Sequence, residues 1–166
     1  RRARSAVAIT FVLATLTVTA SCAAQLPKEV LTPEQARDSV VDTVGGTRRL
    51  FADMDWTDVY GGIPTPGECI VGEQKGVDFS VTVYTPEADT DRTADAEKVA
   101  AYWQSLGISV RTVADPYPAV YGTGGPVKAI AFSLTPRYSI QAGGWCVPGN
   151  PYDFYDVTPS PSPPAP

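Results

Sequence analysis

The sequence contains no histidine. That excludes Ser-His-Asp and Cys-His catalysis, imidazole-ligated zinc and a histidine pH switch. A basic excess is also missing: 13 lysines and arginines stand against 18 acids, giving a net charge of −5 and a pI near 4.6. Nucleic-acid binders carry a basic footprint, so nucleic acid is not an expected partner. The N-terminal apolar run, Ala6 to Val18, falls short of the ~20 residues of a comfortable bilayer span. Cysteine is scarce, at Cys22, Cys69 and Cys146 only. By contrast, 43% apolar residues in 166 allow one modest packed domain, and 16 prolines with 14 glycines announce much loop and tail.

What is present first is an address. Arg1, Arg2 and Arg4 precede the apolar run, and the small residues Thr19, Ala20 and Ser21 follow it. A charged start, a short apolar stretch and a small-residue cleavage site make a secretory signal. Arg1-Arg2 also hints at a twin-arginine signal, but the hydrophobic residues expected just after such a pair are absent. Thr19-Ala20-Ser21-Cys22 resembles the lipobox of bacterial lipoproteins. Ser21 and Ala20 fit that pattern, and Thr19 stands where Leu, Val or Ile is usual. The resemblance covers the first 22 residues. It implies cleavage before Cys22, diacylglycerol on its thiol, and an exported chain anchored by lipid to the outer face of the cell membrane. An ordinary secretory peptide cut near Ala20 or Ala24 is the other reading. In its Ala, Thr, Asp and Pro usage the chain is similar to small actinobacterial secreted lipoproteins. With Cys22 acylated, Cys69 and Cys146 form an even pair. Export places that pair where a disulfide persists, closing a loop of about 78 residues. Two buried free thiols are the alternative.

The chain divides into a signal peptide (1–21), a tether (22–31), a domain (32–148) and a Pro/Ser-rich tail (149–166) of disordered composition. Thr32-Pro33-Glu34-Gln35 is a capping-box start for a first helix, which Gly45-Gly46 should end or weaken. Glu68–Val71 and the alternating Val77–Thr85 predict a hairpin about a turn at Glu73–Gly76. A second helix spans about Thr93 to Leu106: Ala96, Val99, Ala100, Trp103 and Leu106 form its stripe, Asp95, Lys98 and Gln104 face water, and Gly107 stops it. Strands follow at Ile108–Val113, Val127–Leu134 and Tyr138–Ala142, with Gly122–Gly125 in a turn. The order α-β-β-α-β-β-β predicts an α+β fold: a small, mainly antiparallel sheet with helices packed on one face, a disulfide stapling the sheet's ends.

Chemistry-bearing constellations are few. Asp89-x-Asp91-x-Thr93 begins like a calcium loop, but Ala94 replaces the required glycine and Ala100 the bidentate glutamate. A solvated acidic loop at a helix N-terminus is the plainer reading, with Glu87, Asp89, Asp91 and Asp95 as its acids. Asp53, Asp55, Asp58, Glu68 and Asp78 could supply a carboxylate pair, and no spacing selects one. Gly122-Thr123-Gly124-Gly125 is followed by Pro126 and a strand, unlike a phosphate loop. Neither a cofactor nor a metal is implied. Aromatics crowd the C-terminal third: Tyr117, Tyr121, Tyr138, Trp145, Tyr152, Phe154 and Tyr155. Loop aromatics serve as binding anchors, which singles out Tyr117, Tyr121 and Trp145. Covering the open face of a small sheet is the competing explanation. The expected function is therefore a non-catalytic binding or scaffolding module, held on the membrane by its lipid and engaging an envelope protein or glycan. A carboxylate-based envelope hydrolase and a lipid carrier are the alternatives.

Overall fold

The computed structural model describes residues 31–86 and 90–155. The expected signal segment, Cys22 and the tail from Asp156 lie outside the described residues, as do Glu87 and Asp89 of the acidic loop.

Helix α1, Pro33–Arg49, begins as its sequence dictates. Thr32 Oγ1 accepts from Gln35 N at 3.3 Å, and Gln35 Oε1 accepts from Thr32 N at 2.8 Å. It does not stop at the glycines: it runs through Gly45-Gly46 and ends with Arg48 and Arg49 in its last turn. Gly46 has a packing reason, because a Cβ there would lie 1.8 Å from Tyr102 Oη. Helix α2, Arg92–Ser105, supplies that tyrosine. Asp91 caps it, accepting from Thr93 N and Ala94 N at 3.1 Å, and Gly107 (φ +76°) follows its end. Its buried stripe is Ala96, Val99 and Trp103, with Ala100 and Leu106 half-buried.

Eight strands form one sheet, and every pairing is antiparallel. They are β1 (Thr57–Asp58), β2 (Thr65–Val71), β3 (Gln74–Tyr84), β4 (Ser109–Val113), β5 (Ala119–Gly124), β6 (Val127–Ser133), β7 (Ser139–Gly143) and β8 (Val147–Pro148). The order is β1-β3-β7-β6-β5-β4, and β2 and β8 also pair with β3. The β2–β3 turn is Gly72-Glu73, not Glu73–Gly76, because Val71 pairs directly with Gln74 and Gly72 takes φ +61°. Strand β5 takes in Gly122–Gly124 of the stretch expected as a turn and leaves Gly125 in the turn to β6. Gly122 is one of its inward positions, where a Cβ would come within 2.6 Å of Ile108 Cγ2 and 3.1 Å of Trp103 Cε3. A glycine that reads as a breaker is here the space into which the Trp103 indole packs.

Alternation places Val77, Phe79, Val81 and Val83 of β3 on the helix side with Ile140, Phe132, Ile130 and Val120 of its neighbours. These join Val40, Val44, Val99 and Trp103 in the core, apart from Val77 and Phe79, which form a smaller cluster with Ala36 and Val147. Both helices thus cover one face. Trp103 Nε1 donates to Thr47 Oγ1 at 2.9 Å, and Thr47 Oγ1 donates to Thr43 O at 2.8 Å, so this buried polar chain is satisfied.

Cys69 and Cys146 are bonded, with Cα atoms 6.0 Å apart. The bridge does not join the two outer edges of the sheet. It ties β2 to the chain entering β8, and both strands pair with the same end of β3. Gly76, cross-strand from Cys69, leaves the room: a Cβ there would be 3.0 Å from Cys146 Sγ and 2.5 Å from Val147 O. The ordered chain also continues past 148. Pro151–Phe154 form a 3-10 turn, and the Phe154 ring lies edge-on to Phe79 at 5.2 Å between centroids. That apolar contact keeps 149–155 with the domain.

Candidate functional site

The sheet's second face carries no helix, and register fixes what it presents. Because residues directly opposite share a face, three rows cross it. One runs Ser109, Thr123, Ala129, Gly143, Ser80; the next Arg111, Tyr121, Ala131, Gln141, Thr82; the third Val113, Ala119, Ser133, Ser139, Tyr84. The centre, on β6 and β7, bears Ala129, Ala131 and Gly143, where open faces of antiparallel sheets usually carry longer polar side chains. Their shortness leaves an open hollow of about 450 Å³, with Tyr121 and Thr123 on one flank and Ser80 and Thr82 on the other. Tyr60 and Ile63, on the β1–β2 connection, line a smaller hollow with the same Ser80 and Thr82 and extend that second flank.

Two arginines lie on tyrosines at this face. The Arg111 guanidinium sits 4.7 Å from the Tyr121 ring centre, and Arg137 sits 3.9 Å from that of Tyr84. Three inter-strand steps separate the tyrosines, about 14 Å across the sheet. Gln141, Thr82, Ser80 and Thr123 supply an amide and hydroxyls between them. Beyond the first row stands Asp78, half-buried and cross-strand from Gly67, where a Cβ would meet Asp78 Oδ1 at 2.6 Å. Burial pushes its carboxyl above the ordinary range, opposed by Lys128 and a backbone hydrogen bond.

The three aromatics singled out from sequence do not converge. Tyr121, 42% exposed, forms the groove wall. Tyr117, 72% exposed, stands in the β4–β5 connection beyond the third row. Trp145 lies at the other end of β5, donating Nε1–H to Gly125 O of the β5–β6 turn at 3.1 Å. Tyr138 belongs to neither group. It is buried on the helix side, donates to Asp95 Oδ2 at 2.6 Å and is also hydrogen-bonded to Thr90. Asp95, expected in water, is therefore half-buried and engaged. Burial first, and the bond to Asp95 second, push the Tyr138 hydroxyl up to about 12.

The candidate carboxylates are dispersed. Asp58 pairs with Arg48 at 3.2 Å and Glu68 with Lys75 at 3.3 Å, while Asp53 and Asp55 are exposed. Among the described residues no group of three or more His, Cys, Asp or Glu is placed to hold a metal, and no helix is long and apolar enough to cross a membrane. Sequence reasoning missed Arg111, Arg137, Gln141 and the alanine floor. One signal was available: in VKAIAFSL two of the outward positions, Ala129 and Ala131, are alanines, an odd choice for a strand face left to water.

No protein-family model matches the chain, and no curated protein does. A solved structure shares its fold: a DUF4853 family protein from Actinomyces odontolyticus, with a TM-score of 0.51 and 16% identity over 74% of this chain and 72% of that one. At that identity the likeness concerns the fold alone.

Proposed function

We propose that this protein is exported, held on the outer face of the cell membrane by a lipid on Cys22, and acts as a non-catalytic binding module whose open sheet face receives an envelope partner. The observation that carries the reading is the asymmetry of the two faces. One is sealed by α1 and α2, while the other holds a short-side-chain hollow beside an aromatic wall. Shape of this kind, with a few polar groups and exposed aromatics, suits recognition. The tether favours it as well. The described chain begins at Leu31, which packs with Ala36, Val77 and Phe79 on the helix side, away from the open face. The paired Cys69 and Cys146 suit an oxidising compartment and leave Cys22 for acylation.

Two measurements test this. Detergent partitioning and N-terminal mass should find diacylglycerol on Cys22, and Cys22→Ser should release the protein; equal membrane retention of that variant overturns the anchor. Binding of the full chain to isolated envelope should fall on Tyr121→Ala with thermal stability nearly unchanged. A large stability loss with undiminished binding overturns the face. Tyr117→Ala in parallel asks whether the surface reaches the β4–β5 connection.

A further inference from the structure

The charge of the open face opposes that of the chain. Acids outnumber bases overall, 18 to 13. On this face, among the described residues, Arg111 and Arg137 lie on their tyrosines, and neither makes an ion pair with a described carboxylate. Asp78, a described acid beside the groove, has Lys128 near enough to favour its charged form. Each guanidinium lies over its tyrosine ring, and the planar fork of an arginine is suited to grip a carboxylate bidentately. The occupant should therefore be anionic.

Its backbone chemistry follows from the site being a face and not an edge. The N–H and C=O groups of β5, β6 and β7 are committed to the ladder, so an extended peptide gains no main-chain pairing here. What is offered is side-chain hydroxyls, the Gln141 amide and tyrosine rings. A pyranose chain matches this set, with flat C–H faces for the rings, hydroxyls for the polar groups and a thin profile for the alanine and glycine floor. Resting on the binding-module reading above, we infer that the groove between Tyr121 and Tyr84 binds a carboxylated glycan.

The test titrates the full chain with polygalacturonate, with the same polymer fully methyl-esterified, and with poly-L-glutamate. Polygalacturonate should bind. Affinity should fall at least about tenfold on esterification and on Arg111→Gln, Arg137→Gln or Tyr121→Ala, and Lys75→Gln, off this face, should leave it unchanged. Binding should also weaken as salt rises from 50 to 200 mM. Equal affinity for poly-L-glutamate means charge alone is recognised and overturns the inference, as does absence of binding to polygalacturonate. If Tyr121→Ala then still weakens envelope binding, the ligand class is wrong and the face stands. If it does not, both readings fall.

Discussion

Replacing Gly45 and Gly46 separately by alanine should move stability in opposite directions, though both lie in the same turn of α1. In a helix interior alanine is favoured over glycine by roughly 1 kcal/mol, because glycine loses more backbone freedom on folding. At Gly45 nothing obstructs the gain, since the nearest side-chain atom to an added Cβ is Arg49 Nη1 at 3.6 Å. Gly45→Ala should therefore raise Tm by about 3–5 °C, the shift of about 1 kcal/mol in a domain of this size. At Gly46 the added Cβ would lie 1.8 Å from Tyr102 Oη and 2.7 Å from Cζ. The ring must leave its place against α1, and overpacking of this kind costs about 1–3 kcal/mol. Gly46→Ala should be net destabilising. The decisive assay is a double-mutant cycle by chemical denaturation: in a Tyr102→Ala background the obstruction is gone, and Gly46→Ala should become stabilising by about 1 kcal/mol. If Gly46→Ala stabilises the parent chain, or still destabilises without Tyr102, helix–helix approach is not why a glycine stands there.

Reducing the Cys69–Cys146 bond should destabilise the domain by about 2–5 kcal/mol, followed by denaturation with and without reductant, and Gly76→Ala should hinder its formation, seen as alkylatable thiols. Tyr138 keeps its proton up to about 12 in the folded state, against an ordinary value of 10.0. The folded state thus binds the extra proton, so stability present below pH 10 should drain away as pH rises through 12, and Tyr138→Phe should flatten that slope in alkaline melts. Asp78 is raised by burial, so the parent chain should lose stability as pH rises through the carboxylate range, and Asp78→Asn should gain on it at pH 7 but not at pH 3.

What the sequence made legible was whatever a single segment decides for itself. The capping box at Thr32–Gln35, the alternation of β3 and the stripe of α2 each record which side of one element meets the core. Strands β1 and β8, two residues apiece, exist only because β3 offers them partners, so no local pattern announces them. Gly122 hid β5 because its reason is a tryptophan nineteen residues earlier. The groove was hidden more deeply. Arg111 meets Tyr121 through the β4–β5 register, and Tyr121 meets Ala131 and Gln141 through two more pairings. Register is a property of pairs of strands, so aromatic content alone grouped Tyr121 with Tyr117 and Trp145, which the fold sends to opposite ends of β5. Cysteine parity needed no geometry, and the pair it named is the pair that is bonded.

On the proposed export to the outer face of the membrane, that bond has a consequence for exposure to extracellular proteases. The groove's first wall, Arg111 and Tyr121, and most of its floor come after Thr90, whereas any anchor on Cys22 belongs to the chain before Pro86. A peptide bond cut between those two points would divide anchor from groove. The bridge from Cys69 to Cys146 spans the cut, so the two fragments remain one covalent molecule. Under the proposed anchoring, clipping there alone would not release the open face; release would require a reductant too.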